Sequence, residues 1–194
     1  MELSVQAMFS LADARLTGPM TTDTWVAVTT ANTSMSSGLR AAVLTTTLGC
    51  GLVAGTFFAF SSFIMPALNR LAPEQAIGAM QSINKLAVTP LFMLAVFGTA
   101  VLSVVVMIWA IRSWSVPGAT WVLAGCAAYL AGAIIVTMAG NVPLNNALAV
   151  VDPHALSAPD QWASYLRNWT AWNHVRTVTS LGATALLAVG LMLR

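Results

Sequence analysis

Four long uncharged runs alternate with short polar segments along this chain: Ala41–Asn69, Leu86–Ile111, Ser113–Val151 and Thr177–Leu193. Each can hold the roughly 20 apolar residues that an α-helix needs to cross ~30 Å of hydrocarbon. The pattern predicts spanning helices over about 41–66, 88–111, 119–140 and 172–193. The last run is short, because only 17 residues separate Arg176 from Arg194. At ~1.5 Å per residue they cover roughly 26 Å. The fourth helix must therefore begin upstream, which sets Trp172-Asn173-His174-Val175-Arg176 at or just inside the membrane boundary. Ionisable groups are costly there and tend to face a bundle interior or a wet cavity.

The polar segments supply the connections. Phe57 to Phe63 followed by Pro66 reads as an aromatic anchor and a break, and Gly51 with Gly55 offers a small-xxx-small face for close helix contact. Pro73-Glu74 opens a short interfacial helix over Ala72–Lys85 that carries Met80, Gln81 and Asn84. Trp109, Trp114 and Trp121 flank the turn Arg112–Gly118 as an aromatic belt on the opposite side, so the second and third spans form an antiparallel hairpin. The largest loop is expected from Asn141 to Ala171, with Pro143 breaking or kinking the third helix. Within it Ser157-Ala158-Pro159-Asp160 has the form of a helix start, so the fourth helix is expected from about residue 158, its first half outside the hydrocarbon. Both ends of the four-helix domain, residues 40–194, then lie on one side. Residues 1–39 lack apolar periodicity and any signal-peptide pattern, and are expected to be a flexible tail, with Met20 and Met35 as further candidate starts.

Composition agrees with the pattern. The chain is 58% hydrophobic and 7% charged, against roughly 25% charged in a soluble domain. The fold class is therefore all-α, a four-transmembrane-helix bundle with lipid as its solvent. The arginines and lysines flanking the two sides are too evenly split to orient the bundle. A net charge of +2 without a basic run excludes a nucleic-acid partner. Cys50 and Cys126 sit mid-span and form no CxxC pair, so they read as small hydrophobes. His154 and His174 have no HxxxH, ExxH or nearby cysteine, so no metal site is expected; a haem ligand at His174 is the alternative.

Two stripes mark the fourth helix. Trp162, Tyr165, Trp169, Trp172 and Arg176 recur at steps of three and four, and Trp162 and Tyr165 are expected to anchor at the interface. Thr170, Asn173, Thr177, Ser180 and Thr184 form the second, read either as polar glue between helices or as part of a site. On the same side of the membrane Asn141, Asn145, Leu148 and Asp152 would share a helix face. Amides could simply satisfy a break at Pro143. Together with His174 and Arg176, however, Asn141, Asn145 and Asn173 provide donors, a titratable base and a fixed charge, a set that can hold an anionic or phenolic oxygen.

Several ordered pieces resemble the anthrone oxygenase-like membrane family: Gly55-Thr56-Phe57-Phe58-Ala59-Phe60 with Met65-Pro66-Ala67-Leu68, Met80-Gln81-Ser82-Ile83-Asn84, Asn141-Val142-Pro143-Leu144-Asn145, and Trp169 to Thr177. The resemblance covers about residues 40–194. It implies a protein of the bacterial plasma membrane and, by analogy with fungal members, oxygen insertion at the activated methylene of a polyketide anthrone, with no cofactor. Under that analogy His174 removes the proton, Arg176, Asn145 and Asn173 stabilise the enolate, and Trp169 and Trp172 stack on a flat ring, with Asn141 and Asn84 as further binding residues. The partners implied are membrane lipid, a small aromatic ligand and possible further copies of the chain. The rival reading is a non-catalytic membrane subunit or a carrier of small hydrophobic molecules.

Overall fold

The computed structural model describes residues 35–193. Five helices carry the fold: α1 Ser37–Leu68, α2 Pro73–Leu86, α3 Pro90–Arg112, α4 Ala119–Ala149 and α5 Ala158–Met192. No strand occurs among the described residues. All but α2 are long and apolar enough to cross a membrane. Side chains such as Leu48, Leu52, Val101 and Val178 point outward, a surface that water would not tolerate but lipid accepts. The protein is thus an integral membrane four-helix bundle. The expected flexible tail falls on residues outside the described ones, except that Ser37 to Leu39 are already helical behind an Ser36 cap, whose hydroxyl accepts the Leu39 N–H at 3.4 Å.

Helix α5 is the centre of the bundle, packed along α1 and α4 and, in its outer half, against α2. Arg40 in the first turns of α1 donates to the Leu191 carbonyl near the end of α5 (3.4 Å), and Gly118 of the α3–α4 turn lies against Gly190. One end of the bundle therefore holds the start of α1, the α3–α4 turn and the end of α5. The other holds α2, the end of α4 and the start of α5. Gly118 has φ +85°, and a Cβ there would also collide with the Gly190 carbonyl, so glycine is required twice over.

Close approach uses different glycines from those expected. Gly55 is exposed with nothing within 4 Å of a Cβ position, so it faces outward and the expected contact at this residue is wrong. Gly51 meets only the Thr184 side chain at ordinary distance (3.7 Å). On α1 the close contact is at Gly49, where a Cβ would collide with the Thr99 side chain of α3, and contacts against backbone fall on α4 and α5, where a Cβ on Gly125 would stand 3.1 Å from the Ala183 carbonyl and one on Gly190 3.1 Å from that of Gly118. Small-xxx-small spacing shows that a close contact is possible without saying which helix uses it.

Three spans contain wide turns closed by i→i+5 bonds or their like: Phe60–Ile64 in α1, Leu94–Gly98 in α3, and Leu130–Ile135 with Thr137–Asn141 in α4. The turns at Phe60–Ile64 and Thr137–Asn141 each end two residues before a proline, Pro66 and Pro143. A proline supplies no N–H and crowds the carbonyl four residues back; widening the preceding turn accommodates both. The break expected at Pro143 is therefore absent. Helix α4 runs on to Ala149, and the expected Asn141–Ala171 loop shrinks to the stretch before Ala158. Asp152 lies beyond α4 and accepts the His154 N–H (3.0 Å) instead of sharing the asparagine face. The Ser157 side chain does not cap α5; its hydroxyl accepts from the Gln161 amide (2.9 Å).

Gly190→Leu is expected to lower the thermal midpoint in detergent by several degrees or to prevent accumulation, because backbone cannot yield to the new side chain. Gly55→Leu should leave the midpoint within about a degree, as an added lipid-facing side chain creates no clash. Thermal unfolding of the two purified variants separates these outcomes.

A buried arginine at the centre of the candidate functional site

The wide turns and the outer half of α5 meet in one polar cluster. Asn173 is fully buried, and its amide donates to the Phe57 carbonyl (2.7 Å) and to the Ser61 hydroxyl (2.6 Å) of α1. Its own carbonyl oxygen accepts from the Arg176 guanidinium. Arg176, 6% exposed, donates also to the Thr137 hydroxyl of α4 at 3.3 Å. Its guanidinium carbon lies 4.2 Å from the centre of the Phe57 ring and 5.1 Å from that of Trp169, within the range of cation–π attraction. The chain Phe57–Asn173–Arg176–Thr137 thus ties α1, α5 and α4 at the level of the turns Phe60–Ile64 and Thr137–Asn141.

Outward along the same face of α5 runs a column of aromatic rings. Trp162 stacks on Tyr165 with centres 5.8 Å apart, Tyr165 meets Trp169 at 6.3 Å, and Trp169 meets Phe60 of α1 at 5.6 Å. Asn145 of α4 holds this column, its carbonyl oxygen accepting from the Tyr165 hydroxyl (2.9 Å) and the Trp169 indole (2.8 Å). Asn141, one turn earlier and buried, donates to the Trp169 carbonyl (3.2 Å). Helix α2 covers the column with Ala76, Ile77 and Met80. Its Gln81 donates to the Leu148 and Val151 carbonyls (2.9 and 3.0 Å), satisfying the open end of α4. Trp162 and Tyr165 are therefore core residues rather than interfacial anchors, because α2 folds over them.

Five buried polar atoms at this end have no partner among the described residues: Arg176 Nε, Asn141 Oδ1, Trp162 Nε1, Asn84 Nδ2 and Thr170 Oγ1. Nor, among the described residues, does any carboxylate pair with Arg176. A desolvated cation with neutral partners and a spare donor is a site with affinity for an anionic oxygen.

The expected constellation is divided. Asn173, Arg176, Asn141, Asn145 and Trp169 come together, with Asn84 on the α2 side. His174 does not join them, since it stands one helical step from Asn173, about 100° round α5, and is exposed in a separate groove beside Met65, Pro66 and Asn69. Trp172 is 45% exposed, its ring against Gly140, where a Cβ would lie 2.8 Å from the indole carbons. It stacks on backbone rather than facing the cluster. Ser61, Thr137 and Tyr165 complete the cluster as partners that the sequence pattern does not name. Tyr165 was legible from its place in the aromatic stripe, whereas the two hydroxyls depend on wide turns that no local pattern announces. The second stripe proves self-contained in part: Thr177 and Thr184 donate to the Asn173 and Ser180 carbonyls of their own helix (2.9 Å each).

A family model described as anthrone oxygenase matches residues 90–186, half of the chain. The chain belongs to the anthrone oxygenase family. The matched region takes in α3, α4 and α5 through Leu186, and with them Asn141, Asn145, Trp169, Asn173 and Arg176. No curated protein and no solved structure matches the chain. In this family member, α1 and α2 lie outside the matched region yet supply Phe57, Ser61 and the α2 cover.

Removing Asn173 tests the cluster as structure. An interhelical hydrogen bond in a membrane averages ~0.6 kcal/mol, but Asn173→Leu also strands part of a buried guanidinium and the Phe57 carbonyl, each worth about 1–3 kcal/mol. A loss near 2–4 kcal/mol is expected for Asn173→Leu, and under about 1 kcal/mol for Ser61→Ala. Equal thermal midpoints for the two variants would show that Asn173 does not join the helices.

Proposed function

We propose that this protein is a cofactor-independent oxygenase of the bacterial plasma membrane that converts the activated methylene of a small phenolic anthrone to a carbonyl. The observation that carries the reading is Arg176, a buried guanidinium with no carboxylate partner and an unused N–H among the described residues, inside a protein of the anthrone oxygenase family. An anthrone ionises to an enolate whose charge resides largely on oxygen. Arg176 stabilises that oxyanion, and the unpartnered Asn141 Oδ1 of α4, an acceptor, suits a phenolic hydroxyl of the substrate. The column of Trp162, Tyr165 and Trp169, buried beneath α2, gives Arg176 apolar surroundings in which its charge acts strongly on such an oxyanion.

The chemistry balances without an external reductant. Loss of one proton gives the enolate, whose carbanion carbon transfers electrons to O2 and forms a C–O bond as a peroxide. The second hydrogen on that carbon then leaves as a proton while the O–O bond breaks and hydroxide departs. The sum is CH2 + O2 → C=O + H2O. Lowering the energy of the anion is the protein's contribution, so water suffices as the first base. His174, in its outward groove, takes no part.

Conversion of a dihydroxyanthrone to its quinone, followed by absorbance against spontaneous oxidation, tests the reading. Arg176→Gln should reduce the catalysed rate by about 100-fold or more, the range for losing one oxyanion donor. Arg176→Lys should also fall, because a point charge does not replace the planar fork. His174→Ala should stay within about twofold. A wild-type rate no faster than the spontaneous one would leave a binding protein in place of an enzyme.

A further inference from the structure

We propose that the groove between the outer end of α1 and the outer half of α5 is a binding site for the phosphodiester headgroup of an anionic membrane phospholipid. The groove has a volume of about 450 Å³. Its polar lining is Arg167, Thr170 and His174 from one face of α5 and Asn69 just past the end of α1; Met65 and Pro66 form an apolar wall. Among the described residues no carboxylate lines it. The buried Thr170 hydroxyl has no acceptor or donor among the described residues, whereas hydroxyls such as those of Thr45, Thr56 and Ser103 donate to their own helix. Arg167, Asn69 and His174 are exposed.

Depth selects the occupant. Counted up α5 from Leu191, which meets Arg40 at the opposite end, His174 stands roughly 26 Å and Arg167 roughly 36 Å along the helix at ~1.5 Å per residue. The hydrocarbon is ~30 Å thick, with headgroups beyond it. The donors therefore begin at the boundary and end at the level of lipid phosphates. A guanidinium, a hydroxyl, an amide and an imidazole N–H match the acceptor oxygens of one phosphodiester, and the wall of Met65 and Pro66 suits the glycerol backbone and first methylenes. The site is separate from the Arg176 cluster and does not depend on the proposed oxygenase activity.

Lipid retention tests this site with no substrate present. The full chain is reconstituted in phosphatidylcholine nanodiscs containing a minor fraction of phosphatidylglycerol, extracted in mild detergent, and the bound lipid is counted by mass spectrometry. Phosphatidylglycerol should be enriched over phosphatidylcholine. Arg167→Gln should cut the enrichment about fivefold, the weight of one basic residue at an anionic surface, and Thr170→Val should cut it measurably with no change in charge. Arg70→Gln, beside the groove but outside its lining, should change it less than Arg167→Gln. Equal loss from Arg70→Gln and Arg167→Gln, together with no effect of Thr170→Val, would reduce the binding to general surface attraction and overturn the proposal. Displacement of the lipid by millimolar glycerophosphate would overturn it too, marking a free-phosphate site instead.

Discussion

Taking the Arg176 guanidinium out of water is the largest single cost in this bundle, and much of the architecture at its outer end serves to meet it. A charge at that depth is tolerated only if neutral dipoles and ring faces replace its hydration. Asn173 and Thr137 supply the dipoles, Phe57 and Trp169 the rings. Since these groups come from α1, α4 and α5, meeting the charge also fixes how those three helices stand against one another. A slide of α5 by one turn would move Arg176 about 5.4 Å away from all of them. Small residues bring the helices close at the other end, at Gly118 and Gly190, so the bundle is held by packing at one end and by polar bonds at the other.

The wide turns link sequence to this arrangement. Helix interiors ordinarily consume their own carbonyls, which leaves none for a neighbour. Beside a wide turn a carbonyl can be shared, its own helix donating one N–H and a side chain from the next helix a second bond. Asn173 takes the Phe57 carbonyl just before the turn of α1, and the Tyr129 hydroxyl donates to the Val96 carbonyl (2.9 Å) within that of α3. Such turns recur at functional sites in proteins generally. Here those at Phe60–Ile64 and Thr137–Asn141 lie at the level of Asn141, Asn173 and Arg176, all within the matched region.

How much of this was legible in the sequence depended on the length of the signal. The four spans and the α2 helix follow from runs of 14 residues or more, over which composition outweighs any local exception. The start of α5 near residue 158 was likewise readable from Ser157 to Asp160, even though the cap itself differs. What escaped was everything set by a helix's rotation. Asn173 and His174 are neighbours in sequence, and only the packing of α5 against α1 decides that one is buried and the other exposed. Gly55 fails for the same reason, as does the anchor role of Trp162 and Tyr165, which disappears once α2 covers them. Pro143 shows a different limit. The missing donor was foreseen, but proline permits either a break or a wide turn, and the polar partners on α5 favour the second.

Each wide turn also has a meaning in chain length. It holds one residue more than an ordinary helical turn, so α1 and α4 carry what amount to single-residue insertions at the level of Arg176. Deleting one residue between Phe60 and Ile64 would restore the regular 3.6-residue repeat and rotate everything beyond it by about 100°. Met65 and Leu68 would then swing from the aromatic core toward lipid, while Phe57 stayed where it is. In this bundle a change of sequence length by one residue is therefore a change of side-chain direction for a whole helix end, and the two prolines mark where such a change has been absorbed.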